Sequence, residues 1–188
     1  SGNVSTWYSH PDLLNANSVA FQSGNSNVAY VSLANHTIYK ITRSGTTFTQ
    51  KLIAGKPGVA GFKDGNDTAS RFSSPQDLVV DNAGNVFVAD QDNNVIRKIT
   101  PTGVVSTFAG NGTPFLLDGQ GTQASFNSPR GLFLDTDNTL YVADFSNNSI
   151  RKVSPSGNVT TYYTFTDAMA SPSPRDLAKD KKGNFSRK

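Results

Sequence analysis

Short apolar runs alternate with polar turns along most of the chain. From residue 78 the order is Leu78-Val79-Val80, then the polar Asp81-Asn82-Ala83-Gly84, then Val86-Phe87-Val88-Ala89. Asp90 to Asn94 interrupts, Val95 to Ile99 follows, Thr100-Pro101-Thr102-Gly103 interrupts again, and Val104 to Phe108 closes the series. Runs this short, bounded by Asp, Asn, Pro and Gly, predict strands and tight turns rather than helices. Leu78 to Val80 is apolar throughout, as expected of a strand covered on both faces. Val104 to Phe108 is more polar and suits an outer edge.

The pattern recurs. Phe72 to Gly110 and Phe126 to Thr164 align without a gap at a shift of 54 residues, with 17 of 39 positions identical. A period of this length means a solenoid, a propeller or an array. Four antiparallel strands of four or five residues and a longer crossing describe one propeller blade. The crossing carries its own mark: Asp64-Gly65 and Asp118-Gly119 each lie eight residues before Phe72 and Phe126.

Read in these units, 1–188 is a single propeller region. An outer strand without its first three partners is predicted over 2–8, because Gly2 to Tyr8 resembles Gly157 to Tyr163. Blades follow over about 17–54, 76–109 and 130–164, and a further blade starts over 174–188. In the first blade Ser32 stands where the others have Asp90 and Asp144. The unit Pro-x-(Gly/Asp)-Leu, Val-Ala-Asp, Asn-x-Ile-Arg-Lys, Pro-x-Gly resembles the NHL repeat. That resemblance implies an all-β fold: an NHL-type β-propeller of four-stranded antiparallel blades, usually six to a ring. It implies no one activity, since the family holds protein-binding, RNA-binding and sensor modules, and related propellers include lyases and lactonases. Three whole blades make about half of a six-bladed ring. Three readings of that count stand open: a piece of a longer propeller, a chain that completes its ring with a second copy, and a smaller closed ring.

Composition narrows the chemistry. There is no cysteine, hence no disulfide and no thiolate metal site. No apolar run approaches the roughly 18 residues of a membrane helix. The two histidines, His10 and His36, occupy non-equivalent places, and a zinc site needs three or four convergent ligands. No catalytic residue and no metal ligand is assigned, and no cofactor is required; calcium held by channel oxygen ligands stays open. The net charge of +3 is concentrated near the C-terminus, which reads as a solvated hairpin and makes nucleic acid a secondary expectation. Seven Asn-x-Ser/Thr sequons, at Asn3, Asn35, Asn66, Asn111, Asn147, Asn158 and Asn184, lean toward an extracellular or cell-surface protein.

Two residue sets stand out. Asp90, Asn94 and Arg97 repeat as Asp144, Asn148 and Arg151. One copy per blade suits a structural role, the acidic and amide groups capping a loop and the arginine pairing with a carboxylate. The positions after the repeat proline differ between units: Gln76-Asp77, Arg130-Gly131 and Arg175-Asp176. Gln76, Asp77, Arg130, Arg175 and Asp176 are therefore the candidate ligand-binding residues, at the mouth of the central channel. Arg130 and Arg175 present guanidinium forks suited to carboxylate or phosphate, unless Asp77 or Asp176 neutralises them. The expected function is a non-catalytic interaction module for a protein, peptide or glycan partner. The alternatives are a calcium-dependent hydrolase or lyase and an RNA-binding propeller.

Overall fold

The apolar runs within the repeat units become strands, whereas Phe115-Leu116-Leu117 in the crossing does not, and the turns close for identifiable reasons. After Val80 the Asp81 carboxylate accepts the Asn85 backbone N–H at 2.8 Å. Gly84 takes φ +83° there, and its counterpart Asn138 takes +62°, a conformation that Gly and Asn tolerate best. A computed structural model describes residues 6–166, 173–180 and 185–187.

The first sheet holds β1 (Ala16–Gln22), β2 (Asn25–Leu33), β3 (Thr37–Ser44) and β4 (Thr47–Gly55), in that order and antiparallel. The second holds β5 (Gly65–Asn66), β6 (Pro75–Val80), β7 (Val86–Asp90), β8 (Val95–Ile99) and β9 (Val104–Ala109). Its spatial order is β5-β9-β8-β7-β6. The third repeats it with β10 (Gly119–Gln120), β11 (Pro129–Leu134), β12 (Leu140–Asp144), β13 (Ser149–Val153) and β14 (Asn158–Thr164). A hairpin of β15 (Leu177–Lys179) and β16 (Phe185–Arg187) follows. The second and third sheets thus carry one strand more than the four expected. The Asp-Gly crossing supplies it, Gly65 and Asn66 pairing with Val105 and Val104 on the outer edge. Of the outer strand expected over 2–8, residues 2–5 lie outside the described residues, and Thr6 to Tyr8 enter no sheet. Trp7 and Tyr8 instead lie over the free face of the first sheet.

The inner strands β1, β6, β11 and β15 stand side by side, each against the next. Alternate residues of every strand point to opposite faces, so each gap between sheets fills from both sides. Val28, Tyr30, Ile38 and Ile53 of the first sheet meet Phe72, Leu78, Val80, Val88 and Ile99 of the second. Phe87, Ala89 and Ile96 on the opposite face of the second sheet meet Phe126, Leu132, Leu140 and Val142 of the third. Tyr141, Ala143 and Ile150 meet Leu177 and Phe185 of the hairpin. The sheets do not close into a ring, and the molecule is an incomplete all-β propeller.

Candidate functional site at the channel mouth

Three of the four inner strands begin at the same end of the repeat unit with a strained residue. Asn15, Ser74 and Ser128 all take positive φ, at 64°, 53° and 54°. A side chain from the preceding unit holds each of the latter two. The Ser128 N–H donates to Asn94 Oδ1 at 2.9 Å, and the Ser74 N–H donates to His36 Nδ1 at 3.1 Å. His36 and Asn94 both take positive φ and both serve as acceptors, so His36 is the first unit's version of the repeat asparagine. Asn148 does the same for the hairpin, accepting from the Ser173 hydroxyl at 2.8 Å. Asn94 and Asn148 thus join neighbouring units.

Behind this row lies the Asp–Arg node. Arg97 Nη1 donates to Asp90 Oδ2 at 2.8 Å and to the Arg71 carbonyl at 2.9 Å. Its Nη2 donates to Asp64 Oδ1 at 2.7 Å and to the Lys63 carbonyl at 2.9 Å. The guanidinium stands over Phe72 at 4.9 Å. Arg151 repeats this with Asp144, Asp118, the Ser125 and Leu117 carbonyls and Phe126. Asp90 does not cap the turn after it; it accepts the Ser73 N–H at 2.7 Å and the Asn93 amide at 2.8 Å. Burial pushes the Asp90 carboxyl up to about 6, against the pull of those donors and of Arg97. Asp144 moves the same way for the same first cause. The node fastens each crossing to the blade that follows it. The first unit lacks both halves, with Ser32 and Tyr39 in the places of the aspartate and the arginine.

At the strand starts four pairs of residues surround one cavity of about 380 Å³: Asn17 and Ser18, Gln76 and Asp77, Arg130 and Gly131, Arg175 and Asp176. These are the two positions after the repeat proline, one pair from each unit. All five candidate ligand residues line it. The sequence reading omitted Asn17 and Ser18 because their unit carries Ala16 where the others carry proline; the positive φ at Asn15, matching Ser74 and Ser128, is what aligns them.

The eight residues divide by commitment. Asp77 is a stitch across three units. Its Oδ1 accepts the Ser18 hydroxyl at 2.5 Å and its own strand's Leu78 N–H at 2.8 Å, and its Oδ2 accepts the Leu132 N–H at 2.7 Å. Burial raises its pKa, and those three donors oppose the rise. Asn17 donates to the Pro75 carbonyl at 2.9 Å. Gly131 is dictated by closeness: a Cβ there would sit 2.6 Å from Asp176 Cα and 2.8 Å from the Arg175 carbonyl. Asp176 accepts the Leu177 N–H at 2.8 Å. Among the described residues neither Arg130 nor Arg175 forms an ion pair. Arg130 lies on the Phe145 ring at 3.8 Å and Arg175 over the same ring at 5.5 Å. Burial, then the charge of Arg175, lowers the pKa of Arg130. Among the described residues no group of three His, Asp or Glu side chains gathers around a common point. No helix among them is long and apolar enough to cross a membrane.

Sheets fanned about an axis, with variable residues at the mouth, define an incomplete β-propeller. The family model described as NHL repeat matches residues 126–153, which run from just before β11 to the end of β13. It is 33% identical over 104 residues to NHL repeat-containing protein 2 of Bos taurus, covering 55% of this chain and 14% of that protein. It is 32% identical over 94 residues to the chloroplastic protein SUPPRESSOR OF QUENCHING 1 of Arabidopsis thaliana, covering 50% of this chain and 9% of that one. The chain thus spans a small part of the curated relatives it matches. Among solved structures, an auxiliary nutrient binding protein of Bacteroides thetaiotaomicron superposes with a TM-score of 0.62 at 28% identity, over 73% of this chain and 35% of that one. A streptogramin B lyase superposes with a TM-score of 0.62 at 12% identity, over 91% and 47%, which shows a shared fold alone.

Proposed function

We propose that the chain is a non-catalytic interaction module that binds a protein, peptide or glycan partner at the mouth formed by its inner strand starts. The observation that carries this reading is the division of the unit into two parts. The Asp–Arg node repeats, while the pairs around the cavity differ in every unit. Packing needs sameness from blade to blade; a ligand needs a different group from each side. Similarity to a nutrient binding protein at 28% identity supports a binding role. The module takes its place beside further blades, supplied by a longer protein or by a second copy. Exposure of Asn35, Asn66, Asn111 and Asn158 within their sequons supports a secreted or surface setting.

Glycan and peptide arrays probed with the labelled chain test this reading. A bound class should be lost with Gln76→Ala or Arg130→Gln at the mouth and kept with Asn82→Ala, which lines a separate cavity with Asp81 and Asp135. Binding that ignores the mouth variants, or no binding to any class, overturns it.

A further inference from the structure

Two guanidiniums on one phenyl ring, without an ion-pair partner among the described residues, are an unusual thing to leave at a cavity wall. Arg130 is half-buried, and its Nε has no hydrogen-bond partner among the described residues. The Phe145 ring centre lies 3.8 Å from the Arg130 guanidinium carbon and 5.5 Å from that of Arg175, so the two cations share one ring. Cation–π contact lessens the cost of bringing the two like charges together but supplies no counter-charge.

The nearby carboxylates are already engaged. Asp77 receives Ser18, Leu78 and Leu132. Asp92, the acidic group that acts on Arg130, receives the Ser74 hydroxyl at 2.5 Å and the Gln91 amide at 3.3 Å. Asp176 receives Leu177. Their presence still shapes what can enter. A dianion would meet Asp77 and Asp176 across a cavity of about 380 Å³, whereas a single carboxylate matches the planar forks and adds only one negative charge to a lining in which Arg130 and Arg175 balance Asp77 and Asp176. The rest of the wall, Asn17, Ser18 and Gln76, offers amides and a hydroxyl, the partners that ligand hydroxyl groups take.

Resting on the mouth as the binding site, we infer that it recognises a hydroxylated monocarboxylate of sugar-acid type, such as a uronic acid residue, with Arg130 and Arg175 holding the carboxylate. Gln76, Asn17 and Ser18 face its hydroxyl groups.

The test is saturation-transfer NMR and calorimetry on the full chain with glucuronate and galacturonate, against glucose and inorganic phosphate. A uronate is expected to bind while glucose and phosphate do not. Arg130→Gln and Arg175→Gln should each weaken the uronate by about tenfold or more, the loss expected for a charge-assisted hydrogen bond. Arg130→Lys should weaken it too, because the charge remains but the fork is gone. Melting temperatures of the variants show that the mouth is still folded. Phosphate binding in preference to uronates overturns the inference, and so does the absence of uronate binding. If glucose binds as well as uronate and the arginine variants change nothing, the carboxylate inference falls. In that case a mouth-dependent hit on the arrays still supports the interaction module.

Discussion

Arg97 has no exposed side-chain surface, yet four oxygen atoms receive its N–H groups. Two of those are carboxylates of unequal standing: Asp90 is fully buried, and the Asp64 side chain is 51% exposed. Removing one partner from a buried pair leaves an uncompensated charge. Arg97→Met is therefore expected to cost about 3–5 kcal/mol in urea unfolding. Asp64→Ala, with water at hand, should cost no more than about 1 kcal/mol. Equal losses would mean that the node does not concentrate its energy on the buried side. The Asp90 carboxyl is expected to titrate with a midpoint of about 6, followed by NMR of its carboxyl carbon. The unfolded chain gives up that proton near 4, so the folded state holds it through a window the unfolded state does not. This group therefore favours folding at low pH, and its contribution is lost as pH rises from about 4 through about 6. A midpoint near 4 or lower would show that Arg97 and the other donors outweigh burial.

The strands were legible in the chain because their pattern depends on nearest neighbours. Val86 to Asp90 and Leu140 to Asp144 alternate faces between two packed sheets, and each turn carries its own Gly, Asn or Pro. The short β5 and β10 were not legible as strands, since two residues leave no periodicity; only Asp64-Gly65 and its copy marked them. At the mouth, the pairs Gln76-Asp77, Arg130-Gly131 and Arg175-Asp176 stood out because no two of them are the same. Their partners did not, because the bond from Ser18 to Asp77 and on to Leu132 joins residues far apart in the chain. Two variants probe this level. Leu132→Asp sets a charge in the gap between the second and third sheets, where it costs several kcal/mol, and should leave no cooperative melt. A parent-like melt would mean that this strand is not an inner one. Gly131→Ala pushes on the backbone at Arg175 and Asp176 and should loosen the β15–β16 hairpin. Trypsin should then cut after Arg175 or Lys179 sooner than in the parent, with the main melting transition little changed; unchanged cleavage would show that the hairpin can shift to make room.

At the scale of the molecule the two ends differ from the middle. Among the described residues outside the sheet, Trp7, Tyr8 and Leu13 pack on the first sheet's free face, and Leu14, Val19 and Phe21 are exposed around an apolar cavity of about 440 Å³. At the other end Tyr162 and Tyr163 are half exposed beside Phe165 and Phe185. Apolar patches of this kind mark contact surfaces on soluble proteins. The chain by itself is expected to self-associate at micromolar concentration in sedimentation velocity, and Phe21→Asp should lower that association. A parent that stays monomeric would mean that the segment around Trp7 and Leu13 is cover enough.

The arginine clamp also fixes where one cassette ends and the next begins. Because Arg97 grips the carbonyls of Lys63 and Arg71 and β5 edges β9, the stretch before Phe72 is mechanically part of the sheet after it. A cut at Phe72 would strand a buried cation, whereas a cut between Gly55 and Gly61 passes through no clamp. Duplication, deletion or grafting of units should therefore succeed at that seam, so that the portable piece of this architecture begins well upstream of the motif by which it is recognised.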